Sequence, residues 1–201
     1  MAGTAGSIDD RPGYGQGREA LLEAAVHLVA TSGLRNLTYR AVATRAGVTH
    51  GLVRHHFGSR DSLIAEALQY ALRRSVETSS LDVGEGQLSD FASTLADMVA
   101  TEPELQAFQF ELVLESRRNP ELRPHVEALY EHYRSATRQG LLRLGIEDEN
   151  IADLAFAALD GLAFAQTAFG DRERTVAGVM ALQKLLNAVA SEQETKKILS
   201  K

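Results

Sequence analysis

Two short amphipathic segments separated by a single glycine constrain this chain more than any other feature. Thr38 is a good N-cap for a helix over residues 39–46, Gly47 ends that helix, and another is predicted over residues 49–57. A sharp turn between two helices requires a residue that tolerates positive φ, as glycine does. The small residue Ala43 precedes Gly47 by four positions, where the second helix would cross the first. Apolar residues flank the turn at Val42, Ala46, Val48 and Val53. The spacing predicts a helix-turn-helix.

Charge is distributed unevenly around this motif. The chain has a net charge of −6, yet residues 24–60 contain no Asp or Glu and hold five arginines. Residues 1–60 carry a net charge of +3, and the remainder carries −9. A basic end on an acidic body is typical of a DNA-binding module joined to a domain that does not bind DNA. The arginines are Arg35, Arg40, Arg45, Arg54 and Arg60.

The remaining sequence also favours helices. It has no sustained period-2 alternation and no Asn-Gly or Asp-Gly hairpin turn, so we expect an all-α fold of about nine helices. Residues 81–87 are predicted to form a loop between a smaller N-terminal and a larger C-terminal part. The predicted helices cover residues 17–32, 39–46, 49–57, 60–79, 88–101, 103–118, 120–144, 150–170 and 172–191.

Composition excludes several classes of site and of location. The chain has no cysteine, which excludes disulfides, thiolate metal sites and a cysteine nucleophile. The N-terminal residues are polar and Gly-rich, unlike a signal peptide. Residues 151–170 are long and apolar enough to span a bilayer, but Asp153, Asp160 and Gln166 favour a buried helix of a soluble protein. We therefore expect a cytoplasmic protein.

The run LTYRAVATRAGVTHGLVRHHFGSRDSLI resembles the signature of the TetR family of transcriptional regulators. The matching residues are Leu37-Thr38, Ala46-Gly47-Val48-Thr49, His56-Phe57, Gly58-Ser59-Arg60-Asp61 and Leu63. Strong similarity covers residues 18–70. The resemblance implies a ligand-responsive regulator without enzymatic activity or cofactor, in most cases a repressor. Such a protein binds a near-palindromic operator in double-stranded DNA as a homodimer and is released by a small, here apolar, effector.

The same resemblance implies a division of the chain and a set of DNA contacts. We expect a mobile arm over residues 1–14, the DNA-binding domain over 15–60, a ligand-binding and dimerisation domain over 61–191, and a frayed tail over 192–201. Arg54 stands where the family commonly has a phosphate-contacting tyrosine, and both a phosphate and a guanine remain possible partners. His56 and Phe57 are assigned to packing. The predicted DNA-contacting residues are Thr38, Arg40, Arg45, Thr49, His50, Gly51, Arg54, His55 and Arg60.

The larger domain is expected to hold a dimer interface and a ligand pocket, with ordinary core packing as the alternative for each residue. The resemblance implies that the last two long helices pair with their copies, and small residues over 150–170 permit close approach. The predicted interface residues are Leu154, Ala158, Gly161, Leu162, Ala165, Val179, Leu182 and Leu186. The predicted pocket residues are Phe91, Leu95, Met98, Phe108, Gln109, Phe110, Val113, Tyr130, Tyr133, Phe164 and Gln166.

Two other functions fit an all-helical chain. A metal-assisted enzyme would use His125 and His132, which share a helical face, but the sequence has no HExxH, GxSxG or phosphate-binding loop. The spacing of His50, His55 and His56 suits a metal poorly. A helical dimerisation module without a role at DNA would leave the acid-free arginine segment unexplained.

Overall fold

The computed structural model describes residues 14–78, 81 and 86–199. Within them the chain forms nine α-helices, one 3₁₀ turn and no β-strand, so the all-α expectation is confirmed. The 3₁₀ turn is Leu34–Asn36. The helices are α1 Tyr14–Ser32, α2 Tyr39–Ala46, α3 His50–Phe57, α4 Arg60–Thr78, α5 Leu95–Thr101, α6 Pro103–Ser116, α7 Arg123–Arg143, α8 Glu149–Phe169 and α9 Arg172–Leu199.

Two helix boundaries differ from the prediction by more than three residues. Helix α5 begins at Leu95 instead of residue 88, because residues 88–94 form turns in which Ala92 has a φ of 56°. Tertiary packing overrides local propensity there, since Phe91 and Ala92 are buried in the core. At the other end, α9 continues to Leu199, past its predicted end at residue 191, so the tail expected to fray is helical to that point. The expected mobile arm lies outside the described residues, apart from Tyr14.

A first hydrophobic core unites the N-terminal helices with part of the larger domain. Helices α1 to α4 contribute buried residues such as Leu21, Val42, Val53 and Ile64. Helices α6 and α7 extend the same cluster with Leu105, Phe108, Leu112, Leu122, Val126 and Leu129. Contacts between α1 and α6 are the most extensive of any pair of described helices. The boundary expected at residue 60 therefore does not separate two independent hydrophobic cores.

A second core lies at the far end of the molecule. It is formed by the turns before α5, the end of α7, and the inner faces of α8 and α9. Gly140 is required there, because a Cβ at this position would clash with the carbonyl oxygen of Leu81. The buried members of this cluster are Phe91, Ala92, Leu141, Ile146, Ala152, Ala155, Leu159, Val179 and Leu186.

Helix α8 is apolar on more than the face that this core covers. By length and composition, Glu149–Phe169 is the one helix of the described residues that could cross a membrane, and a third of its most apolar stretch is buried inside the chain. It packs against α5, α6, α7 and α9. Leu154, Phe164 and Phe169 are exposed on it. The prediction of a buried helix therefore holds for one face of α8 only.

Candidate nucleic-acid interface and ligand cavity

The turn between α2 and α3 has the geometry that its sequence predicts. Thr38 Oγ1 accepts a hydrogen bond from the backbone N–H of Ala41 at 3.1 Å, which caps α2. Gly47 follows α2 with φ 68° and ψ 29°, a left-handed conformation that a residue with a Cβ adopts only with strain. The N–H of Val48 then donates to the carbonyl oxygen of Ala43 at 2.9 Å. These bonds hold the start of α3 at a defined angle to α2.

Helix α3 has one buried and one exposed face. Val53 and Phe57 are buried in the first core, whereas Gly51 and His55, four residues apart, lie on the opposite, exposed side. Arg54 is also exposed, and its side chain has no hydrogen-bond or ion-pair partner among the residues that the structure describes. The helix is thus held by its apolar side and presents a polar, partly cationic side to solvent.

Leu52 belongs to this exposed side and is absent from the sequence-based prediction. Its side chain is 37% exposed, beside the solvent-facing Gly51. An apolar contact with the methyl group of thymine is one of the ways in which a helix in the major groove reads sequence. The signal was present in the sequence, because Leu52 falls outside the helical spacing of Val53 and Phe57.

Most of the other predicted contact residues share this surface. Thr38, Arg40, Arg45, Thr49 and His50 are all exposed. Thr49 precedes α3 without a capping hydrogen bond from its side chain, so its hydroxyl is open to solvent. Neither Arg40 nor Arg45 has an ion-pair partner within the described parts of the chain. We call Thr38, Arg40, Thr49, His50 and the exposed side of α3 the α2–α3 surface. Arg45 lies apart from it and borders a groove that also contains Glu23, His27 and Glu102.

Arg60 was predicted to contact phosphate, and the structure shows that two of its donors are bonded within the chain. Its Nε donates to the carbonyl oxygen of Leu37 at 2.9 Å, and its Nη2 donates to that of Leu34 at 2.6 Å. The side chain is half-buried and joins the start of α4 to the 3₁₀ turn before α2. Sequence similarity identifies the type of residue at this position. It does not show whether the donors of that side chain are already bonded within the chain. We assign Arg60 to positioning α2.

Replacing Arg60 by alanine is therefore expected to lower the free energy of unfolding by about 1–3 kcal/mol. Both carbonyl oxygens lose a charged donor in a partly buried position. Chemical denaturation followed by circular dichroism measures the change. Arg40→Ala is the matched control, because Arg40 is exposed and its loss is expected to leave stability unchanged. Equal stability of the two variants would contradict the positioning role.

His56 and Phe57 pack as predicted. Phe57 is buried, and the Arg18 guanidinium of α1 lies 5.4 Å from the centre of its ring. Arg18 in turn pairs with Glu66 of α4. Burial lowers the pKa of His56, and the neighbouring His55 and Arg18 lower it further. The end of α3 is thereby tied to α1 and α4.

A cavity of about 70 Å³ lies between α5, α6, α7 and α8. It has room for a few water molecules and is smaller than most ligand pockets. Seven of the predicted pocket residues line it, namely Leu95, Met98, Gln109, Phe110, Val113, Tyr130 and Tyr133. Other lining residues were not predicted, among them Gln106, Thr137, Phe156, Leu159 and Asp160.

Four of the predicted pocket residues lie elsewhere. Phe91 and Phe108 are fully buried in the second and first core, respectively. Phe164 is 46% exposed and meets the ring of Phe110 edge-on, with 5.1 Å between centroids. Gln166 is buried and donates from Nε2 to the carbonyl oxygen of Ala96 at 2.8 Å. Helical spacing places such residues on an inner face but does not tell a cavity from a packed core.

A chain of buried hydrogen bonds connects the cavity wall to α4. The Tyr133 hydroxyl donates to Gln109 Oε1 at 3.0 Å, and Gln109 Nε2 donates to Ser75 Oγ at 3.0 Å. Gln106 Nε2 lies 3.4 Å from the same Ser75 oxygen. Burial raises the pKa of Tyr133, an effect that its bonds with Ser75 and Gln109 oppose. Helices α7, α6 and α4 are thus joined through side chains that line or adjoin the cavity.

Asp160 is the one charged side chain among the described residues that line the cavity. The Tyr130 hydroxyl donates to its carboxylate at 3.2 Å. Burial raises the pKa of Asp160, whereas the bond from Tyr130 and the nearby charge of Arg134 lower it. Burial also raises the pKa of Tyr130 beyond its usual range, as does the Asp160 charge. The sequence signal for this site was a carboxylate in the middle of a strongly apolar helix.

The exposed side of α8 carries an apolar stripe at alternating spacings of three and four residues. Its members are Leu154, Ala157, Gly161, Phe164 and Ala168. Further exposed apolar residues are Phe169 at the end of α8 and Met180 and Leu185 on α9. A Cβ at Gly161 would meet no described atom within 4 Å, so packing within the chain does not require glycine there. We call these residues the α8–α9 face.

The predicted dimer residues divide between this face and the interior. Leu154 and Gly161 are exposed, and Ala158, Leu162, Ala165 and Leu182 are half-buried. Val179 and Leu186 are a correction, because both are buried in the second core and are unavailable to a partner.

For the metal-assisted alternative, no group of three or more His, Asp or Glu that could hold a metal occurs in the described part of the chain. His125 and His132 are exposed.

Sequence families match both parts of the chain. Residues 86–190, more than half of the chain, match the model described as the tetracyclin repressor-like C-terminal domain. Residues 21–67 match the model of bacterial regulatory proteins of the tetR family. The second match contains the whole α2–α3 surface, and the first contains the cavity apart from Leu81.

Proteins of similar sequence include transcriptional regulators of the helix-turn-helix type. The HTH-type transcriptional regulator BetI of Agrobacterium fabrum is 30% identical over 152 residues, which are 72% of this chain and 74% of that protein. The HTH-type transcriptional repressor KstR2 of Rhodococcus jostii is 36% identical over 80 residues, 37% of this chain and 39% of that one. Neither is described as an enzyme.

Solved structures share the fold. A transcriptional regulator from Rhodococcus has a TM-score of 0.72 at 23% identity, over 84% of this chain and 95% of its own. GusR of Salmonella enterica has a TM-score of 0.72 at 18% identity, over 87% of this chain and 95% of its own. At these identities the likeness establishes the arrangement of helices and nothing about ligands.

Proposed function

The chain belongs to the TetR family of bacterial regulatory proteins, and we propose that it is a cytoplasmic repressor released from DNA by a small molecule. In this proposal a homodimer binds a near-palindromic operator through two α2–α3 surfaces. The observation that carries it is the exposed side of α3, an acid-free polar surface with Arg54 and His55 held by a buried apolar side. A helix presented in this way fits the major groove of B-form DNA.

The α8–α9 face supports the homodimer. Monomeric proteins seldom expose a continuous row of apolar side chains along one helix. The stripe on α8 has the three-and-four spacing with which two helices pack side by side, and small residues at Ala157 and Gly161 allow close approach. A two-fold pairing through this face would place two copies of α3 on one side of the dimer, as a near-palindrome requires.

Helix α6 supports control by a ligand. One of its sides lines the cavity with Gln106, Gln109 and Phe110, and the other packs in the first core with Phe108 and Leu112. Its first turn and its middle also bond to the N-terminal helices: Glu104 lies 2.9 Å from His27 Nδ1, and the N–H of Leu34 donates to Glu111 at 3.5 Å. A ligand that separates α6 from α7 moves a helix that contacts α1, and it releases DNA only if it binds that conformer more tightly.

Selection of bound sequences from random DNA tests the function. We expect enrichment of a near-palindrome with half-sites about one helical turn apart, and affinity that falls steeply with salt. Fluorescence anisotropy with the enriched duplex gives the affinity and its salt dependence. Failure to select any sequence, with no retention of random DNA at low salt, would overturn the proposal and favour a dimerisation module.

Replacing Gly51 by alanine is expected to separate stability from DNA binding. A Cβ at Gly51 meets nothing within 4 Å inside the described structure, so alanine should raise the free energy of unfolding by up to about 1 kcal/mol. The added methyl group would stand between α3 and the base edges and weaken operator binding. Denaturation and anisotropy on the same sample measure the two effects.

Gly17→Ala is the matched control for this variant. Gly17 also lies in a helix, α1, and a Cβ there likewise meets nothing within 4 Å. It should change stability in the same direction and leave operator affinity unchanged. An undiminished affinity of the Gly51→Ala variant would show that α3 does not approach DNA closely at this position.

A further inference from the structure

The walls of the cavity are apolar and aromatic except at a few positions. Two residue rows face it, Tyr130, Tyr133 and Thr137 on α7, and Phe156, Leu159, Asp160 and Ala163 on α8. Each row follows the spacing of one helical face. Phe110 of α6 adds a further ring. Asp160 is therefore a carboxylate set among aromatic side chains.

Asp160 has no cationic partner in direct contact within the described chain. Its carboxylate accepts a hydrogen bond from the Tyr130 hydroxyl, a neutral donor. Arg134 lies close by but directs its guanidinium over two rings, 5.8 Å from the centre of Tyr130 and 5.4 Å from that of Phe156. Placing a carboxylate in partly apolar surroundings without an ion pair costs free energy, and a bound cation would remove part of that cost.

A second polar group in the cavity wall lacks a partner. Thr137 is fully buried, and its Oγ1 makes no hydrogen bond with any described residue. It lies one helical turn beyond Tyr133 on the same side of α7. Buried hydroxyl groups are nearly always hydrogen-bonded, so Thr137 Oγ1 is an unsatisfied polar atom packed behind the cavity wall.

The surroundings of Asp160 also separate the cavity from solvent by a single layer of side chains. Tyr130, Phe156 and Asp160 line both the cavity and a surface groove between α7 and α8 that contains Arg134. These side chains form the partition between the two spaces. A ligand arriving through the groove would meet the carboxylate and the two rings before it enters.

We propose that the cavity binds a small organic amine in its ammonium form. The ammonium group pairs with the Asp160 carboxylate, and the aromatic rings hold the charge and the carbon skeleton. The size of the cavity limits the skeleton to a few carbon atoms unless the helices separate. This inference rests on the proposed function, in which the cavity receives the effector.

Three probes of nearly equal shape test the inference on the full-length protein. These are tert-butylammonium, tert-butanol and pivalate, which share a tert-butyl group and differ in the charge of the head group. Binding is measured by calorimetry and by the shift in melting temperature. We expect tert-butylammonium to bind at least about tenfold more tightly than the other two. Equal binding of all three, or binding of none, would overturn the inference.

The variant Asp160→Asn removes the charge and keeps an acceptor for Tyr130. It should bind tert-butylammonium at least about tenfold more weakly than the wild type and tert-butanol equally well. Asp153→Asn is the matched control: Asp153 lies in the surface groove on the same helix, pairs with Arg138 at 2.8 Å and does not line the cavity. Unchanged cation binding in Asp160→Asn would refute the role of this carboxylate.

Failure of this inference is distinguishable from failure of the proposed function. Operator binding by the unliganded protein is measured without any amine, so its result does not depend on whether the cavity binds an amine. If the protein binds its operator but prefers tert-butanol or pivalate, the proposed function is supported and the inference that the cavity binds an amine is refuted. If the protein binds the amine through Asp160 but selects no DNA, the amine site is supported and the proposal that the protein is a repressor is refuted.

Discussion

Operator affinity is expected to fall at least about 30-fold when Arg54 is replaced by alanine, with no change in stability. A bidentate contact from arginine to a base contributes about 1–3 kcal/mol, and a dimer loses two of them. The free protein loses nothing, because the Arg54 side chain is exposed and has no partner among the described residues. Anisotropy titrations with the selected duplex and a thermal melt provide the two measurements.

The same variant separates the two partners that the sequence left open for Arg54. If Arg54 contacts a guanine, the loss is confined to operators that carry that base, and the variant tolerates other bases at this position. If it contacts a phosphate, affinity falls for every sequence and the salt dependence becomes weaker by about one ion per protomer. Arg123→Ala is the control, since Arg123 is exposed far along the chain and pairs with Glu127. Wild-type affinity of Arg54→Ala would remove Arg54 from the interface.

Dissociation into monomers is the expected result of replacing Gly161 by glutamate. The substitution sets two carboxylates against each other across the proposed two-fold pairing, where burial of like charges costs several kcal/mol. The protomer itself should fold normally, because a Cβ at Gly161 meets no described atom and glutamate is a better helix former than glycine. Sedimentation velocity measures the oligomeric state. Monomers should bind the operator far more weakly, since each half-site is then bound separately.

Leu142→Glu is the control for this experiment. Leu142 is 58% exposed on α7, away from the α8–α9 face, so a charge there tests only the effect of losing an exposed apolar side chain. It should remain dimeric. A stable dimer of the Gly161→Glu variant would exclude the middle of α8 from the interface and would direct attention to Met180 and Leu185 on α9.

The DNA-binding part was predictable from sequence because its constraints are local. A cap at Thr38, a left-handed residue at Gly47 and apolar positions at Val42 and Val53 all lie within one short segment. Each depends on backbone conformation or on helical spacing, which neighbouring residues determine. The exposure of Leu52 and the bonds of Arg60 within the chain were not predicted from these local constraints. Whether a side chain on the rim of such a motif is free or already bonded depends on distant residues, here the carbonyl groups of Leu34 and Leu37.

The cavity was predictable only in part, for a different reason. The spacing of apolar residues indicates which sides of α5 to α8 face inward, and seven predicted residues do line the cavity. It does not indicate where the packing leaves space. Phe108 and Phe110 differ by two positions on α6, yet one fills the first core and the other faces the cavity. The same limit explains why Val179 and Leu186 were expected at a dimer interface and are buried within the chain.

The sequence alone determined the helix-turn-helix around Gly47, the all-α fold and the family resemblance, because these depend on short-range spacing and on residue types with few conformational alternatives. Only the tertiary structure decided which members of each apolar row meet a core, a cavity or solvent. It also decided that Arg60 is bonded within the chain, that Arg54 has no partner among the described residues, and that Asp160 lies beside Tyr130. A helix has several faces, and the neighbours of each are chosen by contacts between residues far apart in the chain.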